Sequence, residues 1–115
     1  MAEISSFELT KEIYSALNDK LANNVKVLET REITILADYF IICSANSTTH
    51  IKTLADAVEK KSRELGEPPR HIEGYRSGGW VLVDLGCLIV HIFLEDVRAF
   101  YDLERLWKDA KAVEM

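Results

Sequence analysis

Five consecutive residues, Tyr39-Phe40-Ile41-Ile42-Cys43, are all apolar and β-prone, and they constrain the fold more than any other segment. Successive side chains of a strand point to opposite faces, so a run without polar positions has no face to turn to water. It reads as a central strand covered on both sides.

The rest of the chain supplies elements to cover it. Ser5 to Glu8 has capping-box spacing, and Leu9, Ile13, Ala16, Leu17 and Leu21 follow at helical intervals, which predicts a first helix ending near Leu21. Val25 and Val27 alternate with Lys26 ahead of a charged turn at Arg31-Glu32, the pattern of a strand near a sheet edge with one solvated face. After the central strand, Ser47 is placed to cap a second helix with Ile51, Leu54, Ala55, Val58 and Leu65 on one side. Gly66 closes that helix and Pro68-Pro69 prevents its continuation.

Three strand-like segments follow, near 70–75, 80–85 and 88–94, separated by Gly78-Gly79 and by a tight turn at Gly86. The last two form an antiparallel hairpin. Val97, Phe100, Tyr101, Leu103, Leu106 and Trp107 then continue an apolar stripe with Asp102 as a cap, and the tail after about Ala110 is expected to fray. The order α, β, β, α, β, β, β, α predicts an α/β (α+β) fold. One domain spans residues 1–115, with a mixed five-stranded sheet and flanking helices.

With 115 residues, 48% of them hydrophobic, the chain has material for one core. Its formal charge of -5, without any Lys/Arg run, disfavours direct nucleic-acid binding and suits a basic protein partner. Cys43 and Cys87 lie in or beside apolar runs, and the N-terminus has no signal-peptide pattern, so reduced core thiols and a cytoplasmic location are expected. The longest apolar run, Leu88 to Leu94, is interrupted by His91 and falls far short of a membrane span.

Candidate chemistry is sparse. His50, His71 and His91 fall in different elements with no short ligand pair, so neither a metal nor a cofactor is expected. Gly78-Gly79 leads into a strand, whereas a phosphate cradle opens a helix. Asp102 and Glu104 have the spacing of a strand-borne carboxylate pair, but in a helix they point apart and serve as capping and solvated charges. Asp38, Asp84 and His91 border or interrupt apolar strands, where burial without partners costs about 1 to 3 kcal/mol each. They must be paired, exposed or functional. A structural lock by Asp38 and His91 is the favoured reading over an acid-base pair, and no catalytic residue is assigned.

The strand from Trp80 to Leu85 carries the most local information. Alternation puts Trp80, Leu82 and Asp84 on one face and Val81, Val83 and Leu85 on the other, so both faces are largely apolar. A tryptophan presents roughly 150 to 250 Å², and hiding it contributes on the order of 4 to 6 kcal/mol before entropy is counted. Either a partner or a helix of the same chain must cover that face.

Several segments are similar to a known family: Ala37-Asp38-Tyr39-Phe40-Ile41-Ile42-Cys43-Ser44, Ala55-Asp56-Ala57-Val58, Trp80-Val81-Leu82-Val83-Asp84-Leu85-Gly86, Val90-His91-Ile92-Phe93 and Phe100-Tyr101-Asp102-Leu103-Glu104-Arg105-Leu106-Trp107. In this order and spacing they resemble the ribosomal silencing factor family, also called Iojap-like proteins, from the first helix through Trp107. The resemblance implies a nucleotidyltransferase-like mixed sheet without catalysis. It also implies a partner, large-subunit ribosomal protein number fourteen, whose occupation blocks joining of the small and large subunits and represses translation. By position, Trp80 and Leu82 are the expected apolar anchors, with Tyr75, Arg76 and Asp84 as nearby polar contacts. Where family members carry an acidic residue after the hairpin glycine, this chain has Cys87. A homodimer is a further implication.

Two other functions remain open at this stage. A nucleotidyltransferase-like enzyme would need a Gly-Ser turn followed by paired carboxylates, whereas this chain has Cys43-Ser44-Ala45-Asn46 and no acidic pair after it. A dimeric scaffold with an unrelated protein partner is compatible with the same alternating strand.

Overall fold

The computed structural model describes residues 4–76 and 79–115. Its elements in chain order are α1 (Ser6–Asp19), β1 (Asn23–Glu29), β2 (Tyr39–Ala45), α2 (Thr48–Glu64), β3 (His71–Glu73), β4 (Trp80–Asp84), β5 (Leu88–Leu94), α3 (Glu95–Tyr101), α4 (Leu103–Leu106) and β6 (Lys111–Val113). The strands form one mixed sheet in the order β3-β4-β5-β2-β1-β6.

β2 is the central strand, with all seven residues buried. It pairs in parallel with β5, from Tyr39 opposite Leu88 to Ala45 opposite Leu94, and antiparallel with β1. β4 and β5 form the expected hairpin, with Trp80 opposite Phe93 and Asp84 opposite Ile89. Its turn is closed by the Leu85 N–H donating to the Leu88 carbonyl at 2.9 Å, with Gly86 at φ +88°, where a side chain would be strained. Of the Gly78-Gly79 turn, Gly78 lies outside the described residues. The Gly79 carbonyl accepts from the Leu94 N–H at 3.0 Å and ties the open end of the hairpin.

Both long helices begin where the capping residues predict. The Ser5 hydroxyl accepts from the Glu8 N–H and that of Ser47 from the His50 N–H, each at 3.1 Å. α1 ends at Asp19, and Leu21 leaves the predicted stripe because it turns out at φ 65° and is exposed. Both helices cover one face of the sheet, where Leu9, Ile13, Leu17, Ile51, Leu54 and Val58 pack on Ile41, Val81, Val83, Val90 and Ile92.

The other face is covered by the C-terminal segment. Leu28, Phe40, Ile42, Ile89 and Phe93 form a second cluster against which Val97, Leu103, Trp107 and Ala110 pack, together with Trp80 and Leu82 of β4. β1 is therefore exposed only in its first half, at Asn24 and Lys26, since Val27 and Leu28 are both buried, one in each cluster.

Two expectations need correction here. The final helix is broken at Asp102, which adopts the left-handed conformation (φ 46°) and makes no side-chain cap. A short polar residue tolerates that conformation, and its N–H still donates to the Arg98 carbonyl at 2.9 Å. Where an irregular tail was expected, Lys111–Val113 add a sixth strand, antiparallel to Val27–Glu29, giving six strands instead of five. Without it β1 would present an unpaired edge. Edge-on contact of Trp107 with Phe40, at 5.0 Å between ring centroids, brings the chain back to that edge.

Candidate functional site

Pleating determines what β4 presents. Val81 and Val83 are fully buried under the helices, while Trp80 and Leu82 face the C-terminal segment and are only partly buried. The indole stacks on Phe93 with the ring planes 28° apart and centroids at 4.9 Å, and is flanked by Tyr101 at 4.9 Å and His91 at 5.9 Å. Its Nε1–H donates to His91 Nδ1 at 3.2 Å. Open grooves border it on two sides. One of about 630 Å³, towards α3, is lined by Gly79, Trp80, Asp96, Val97, Phe100 and Tyr101. A smaller one of about 210 Å³, towards β3, is lined by Glu73, Gly74, Trp80 and Leu82. Thus neither sequence alternative for this face holds outright, because the C-terminal segment covers its β1, β2 and β5 part and leaves Trp80 and Leu82 of β4 partly exposed.

The predicted polar residues do not all gather there. Asp84 spends one carboxylate oxygen on the Gly86 N–H at 2.8 Å, and the other lies 3.7 Å from His71 Nε2, so it builds the turn at the end of β4. Arg76 is exposed, just after β3. Tyr75 packs on the opposite face, where its hydroxyl donates to Asp56 of α2 at 3.0 Å and its ring lies under Lys52 at 5.6 Å. The Asp56 hydrogen bond is the largest cause holding that phenol above its usual pKa of 10.0. Strand alternation predicted the face of Trp80 correctly, but Tyr75 lies beyond the end of β3, where alternation no longer applies.

Asp38 and His91 take separate places and form no lock with each other. The Asp38 N–H donates to the Cys87 carbonyl and its own carbonyl accepts from the Thr30 N–H, both at 2.8 Å, which joins the β1–β2 loop to the hairpin turn. His91 is 5% exposed, and burial pushes its pKa down to about 4. It meets an indole instead of a carboxylate, so the acid-base pair considered above does not form. Burial pushes the Cys43 thiol up to about 12, against a smaller opposing effect of Arg98, and raises that of Cys87. Neither offers a thiolate near neutrality. Among the described residues, no three His, Cys, Asp or Glu side chains group as metal ligands.

Arg98 escaped the sequence reading altogether. It is buried in α3 and donates to Glu104 at 2.8 Å, to the Asn24 carbonyl at 2.9 Å and to the Ser44 hydroxyl at 2.9 Å. Lys26 reaches the second oxygen of Glu104 at 3.3 Å. The hydrogen bond from Arg98 leads the causes that lower the Glu104 pKa. This network ties α3 and α4 to the adjoining ends of β1 and β2.

Fold and site together define a mixed-sheet α/β domain with an aromatic surface half covered by its own C-terminal segment. The family model described as ribosomal silencing factor during starvation matches residues 3–115. A Halalkalibacterium halodurans protein named ribosomal silencing factor RsfS is 40% identical over 112 residues, 97% of this chain and 96% of that protein. The Bacillus subtilis protein of the same name is 38% identical over 88% of this chain and 86% of its own length. A crystal structure of a Chromobacterium violaceum protein superposes with a TM-score of 0.89 at 36% identity, covering 91% of this chain and 88% of that one. The chain belongs to the ribosomal silencing factor family. The family name denotes a regulatory role, and the predicted resemblance and fold class are both confirmed.

Proposed function

We propose that this protein binds the large ribosomal subunit through ribosomal protein number fourteen and blocks joining of the small subunit, repressing translation without catalysing a reaction. Trp80 and Leu82 are the apolar anchors, and Arg76 and Asp84 are polar contacts further out for the same partner. Tyr75, on the far face, joins only if the partner wraps the β3 edge. One observation carries this reading: in a silencing-factor chain, an indole is left partly exposed between two grooves beside a cluster that the C-terminal segment covers. Large aromatic side chains in such settings dominate binding energies. Glu73 and Asp96 on the groove walls, with a formal charge of -5, favour a basic partner surface. No motion is required, since a binder that occupies one subunit shifts the joining equilibrium by mass action. The cytoplasm, where subunits join, is the compartment this reading implies, and a homodimer is part of the same proposal.

Sucrose gradients of purified subunits mixed with the protein test it. Added protein should raise the free-subunit peaks and migrate with the large subunit. Trp80→Ala should weaken that association by at least about 2 kcal/mol. A folded Trp80→Ala variant with unchanged affinity would show that the partner uses another face.

A further inference from the structure

We infer that His91 is a positioning residue for the docking surface, accepting the Trp80 indole N–H so that the ring is held at one angle for its partner. The inference rests on Trp80 being the anchor proposed above. Trp80 sits opposite Phe93 across the hairpin, and His91 lies two residues earlier on β5, so both rings of β5 lie beneath the indole on one face. The His91 and Phe93 rings are within 13° of parallel, and the indole stacks on Phe93 at 28°. Stacking alone leaves a ring free to slide, and the 3.2 Å hydrogen bond to His91 Nδ1 removes that freedom.

The protonation state follows from the donor. An indole nitrogen only donates, so Nδ1 must accept and the imidazole proton must sit on Nε2. Deep burial keeps the ring neutral. Nε2 is itself buried and has no hydrogen-bond partner among the described residues. A buried donor without an acceptor is destabilising, and leucine or valine, which occupy neighbouring places in β5, would avoid it. The unpaired Nε2–H offsets what the bond to Trp80 and the edge-on contact with Phe40, at 5.3 Å, contribute to stability, so the gain from histidine lies in holding the indole. Fixing a contact side chain before binding lowers the entropy lost in the complex, so the benefit appears in affinity.

Affinity for purified large subunits, measured for the full chain and its variants, tests this. His91→Leu should lose on the order of tenfold in affinity while melting no lower than the parent. Its indole N–H resonance should shift and exchange faster with water. His91→Asn, which keeps an acceptor close to the Nδ1 position, should restore both affinity and the resonance. Trp80→Phe, which keeps a ring and removes the donor, should lose a similar factor, and combining it with His91→Leu should add little further loss. Wild-type affinity in His91→Leu together with lost affinity in Trp80→Ala would overturn the positioning role and leave the anchor standing. Wild-type affinity in Trp80→Ala would remove both. Should His91→Leu fail to fold, wild-type affinity in Trp80→Phe alone is enough to overturn the inference.

Discussion

A neutral histidine under the sheet makes stability depend on acidity. The ordinary histidine pKa of 6.5 describes His91 once unfolded, and burial lowers it to about 4 in the native state. The unfolded chain therefore binds the extra proton first as pH falls, so the stabilisation present above 6.5 is lost progressively down to about 4. The full loss amounts to about 3 kcal/mol. Denaturant titrations at pH 7.5, 6, 5 and 4 should show this slope in the parent chain and a flatter one in His91→Leu. Equal slopes would assign the acid sensitivity to other groups. This residue was legible in the sequence as a polar interruption of an apolar strand, but its partner was not, because the pairing depends on hairpin register and ring orientation. Arg98 was less legible still, since its acceptors on Asn24 and Ser44 lie 74 and 54 residues away, and nothing local distinguishes it from a solvated helix arginine.

At the scale of elements, the C-terminal segment is held by that arginine, by Trp107 on Phe40 and by the β6 pairing. Arg98→Ala removes three hydrogen bonds at once and leaves Glu104, among the described residues, with only Lys26 as an ion-pair partner. The expected cost is on the order of 3 kcal/mol, towards the low end for a broken buried pair because Glu104 is partly exposed. Amide exchange should accelerate first at Lys111–Val113 and in α3, before the β2–β5 centre. Uniform acceleration throughout the chain would show that the segment is no separate unit. β2, α2 and the β4–β5 hairpin were readable because each carries a local signal: an unbroken apolar run, a capped amphipathic stripe, a glycine turn. β6 was not. Lys111-Ala112-Val113 is too short to show a period, and it becomes a strand only because β1 offers an edge and Trp107 returns the chain to it.

Across the whole molecule, exposed apolar side chains gather at opposite ends of the sheet. Phe100 and Tyr101, 81% and 53% exposed, stand in α3 beyond the last residue of β5. Ile33, Ile35 and Leu36 are exposed in the β1–β2 loop, which is joined at Asp38 to Cys87 before the first residue of β5. That loop is well built: the Ile33 and Thr34 N–H groups donate to the Thr30 carbonyl, the Thr30 hydroxyl donates to the Ala37 carbonyl, and the Leu36 N–H donates to the Thr34 hydroxyl. An ordered loop that holds aliphatic groups in water presents a surface suited to burial. A partner seated on Trp80 and α3 leaves this end uncovered, so the proposed homodimer is predicted to form through the loop. Light scattering should then show mass rising towards two chains with concentration, and Ile35→Glu should keep the chain monomeric while its effect on subunit gradients is unchanged. A wild-type chain that stays monomeric at high concentration removes the dimer. An Ile35→Glu chain that still dimerises moves the interface off the loop, and loss of its silencing in the gradients would mean that the second copy helps to hold the ribosome.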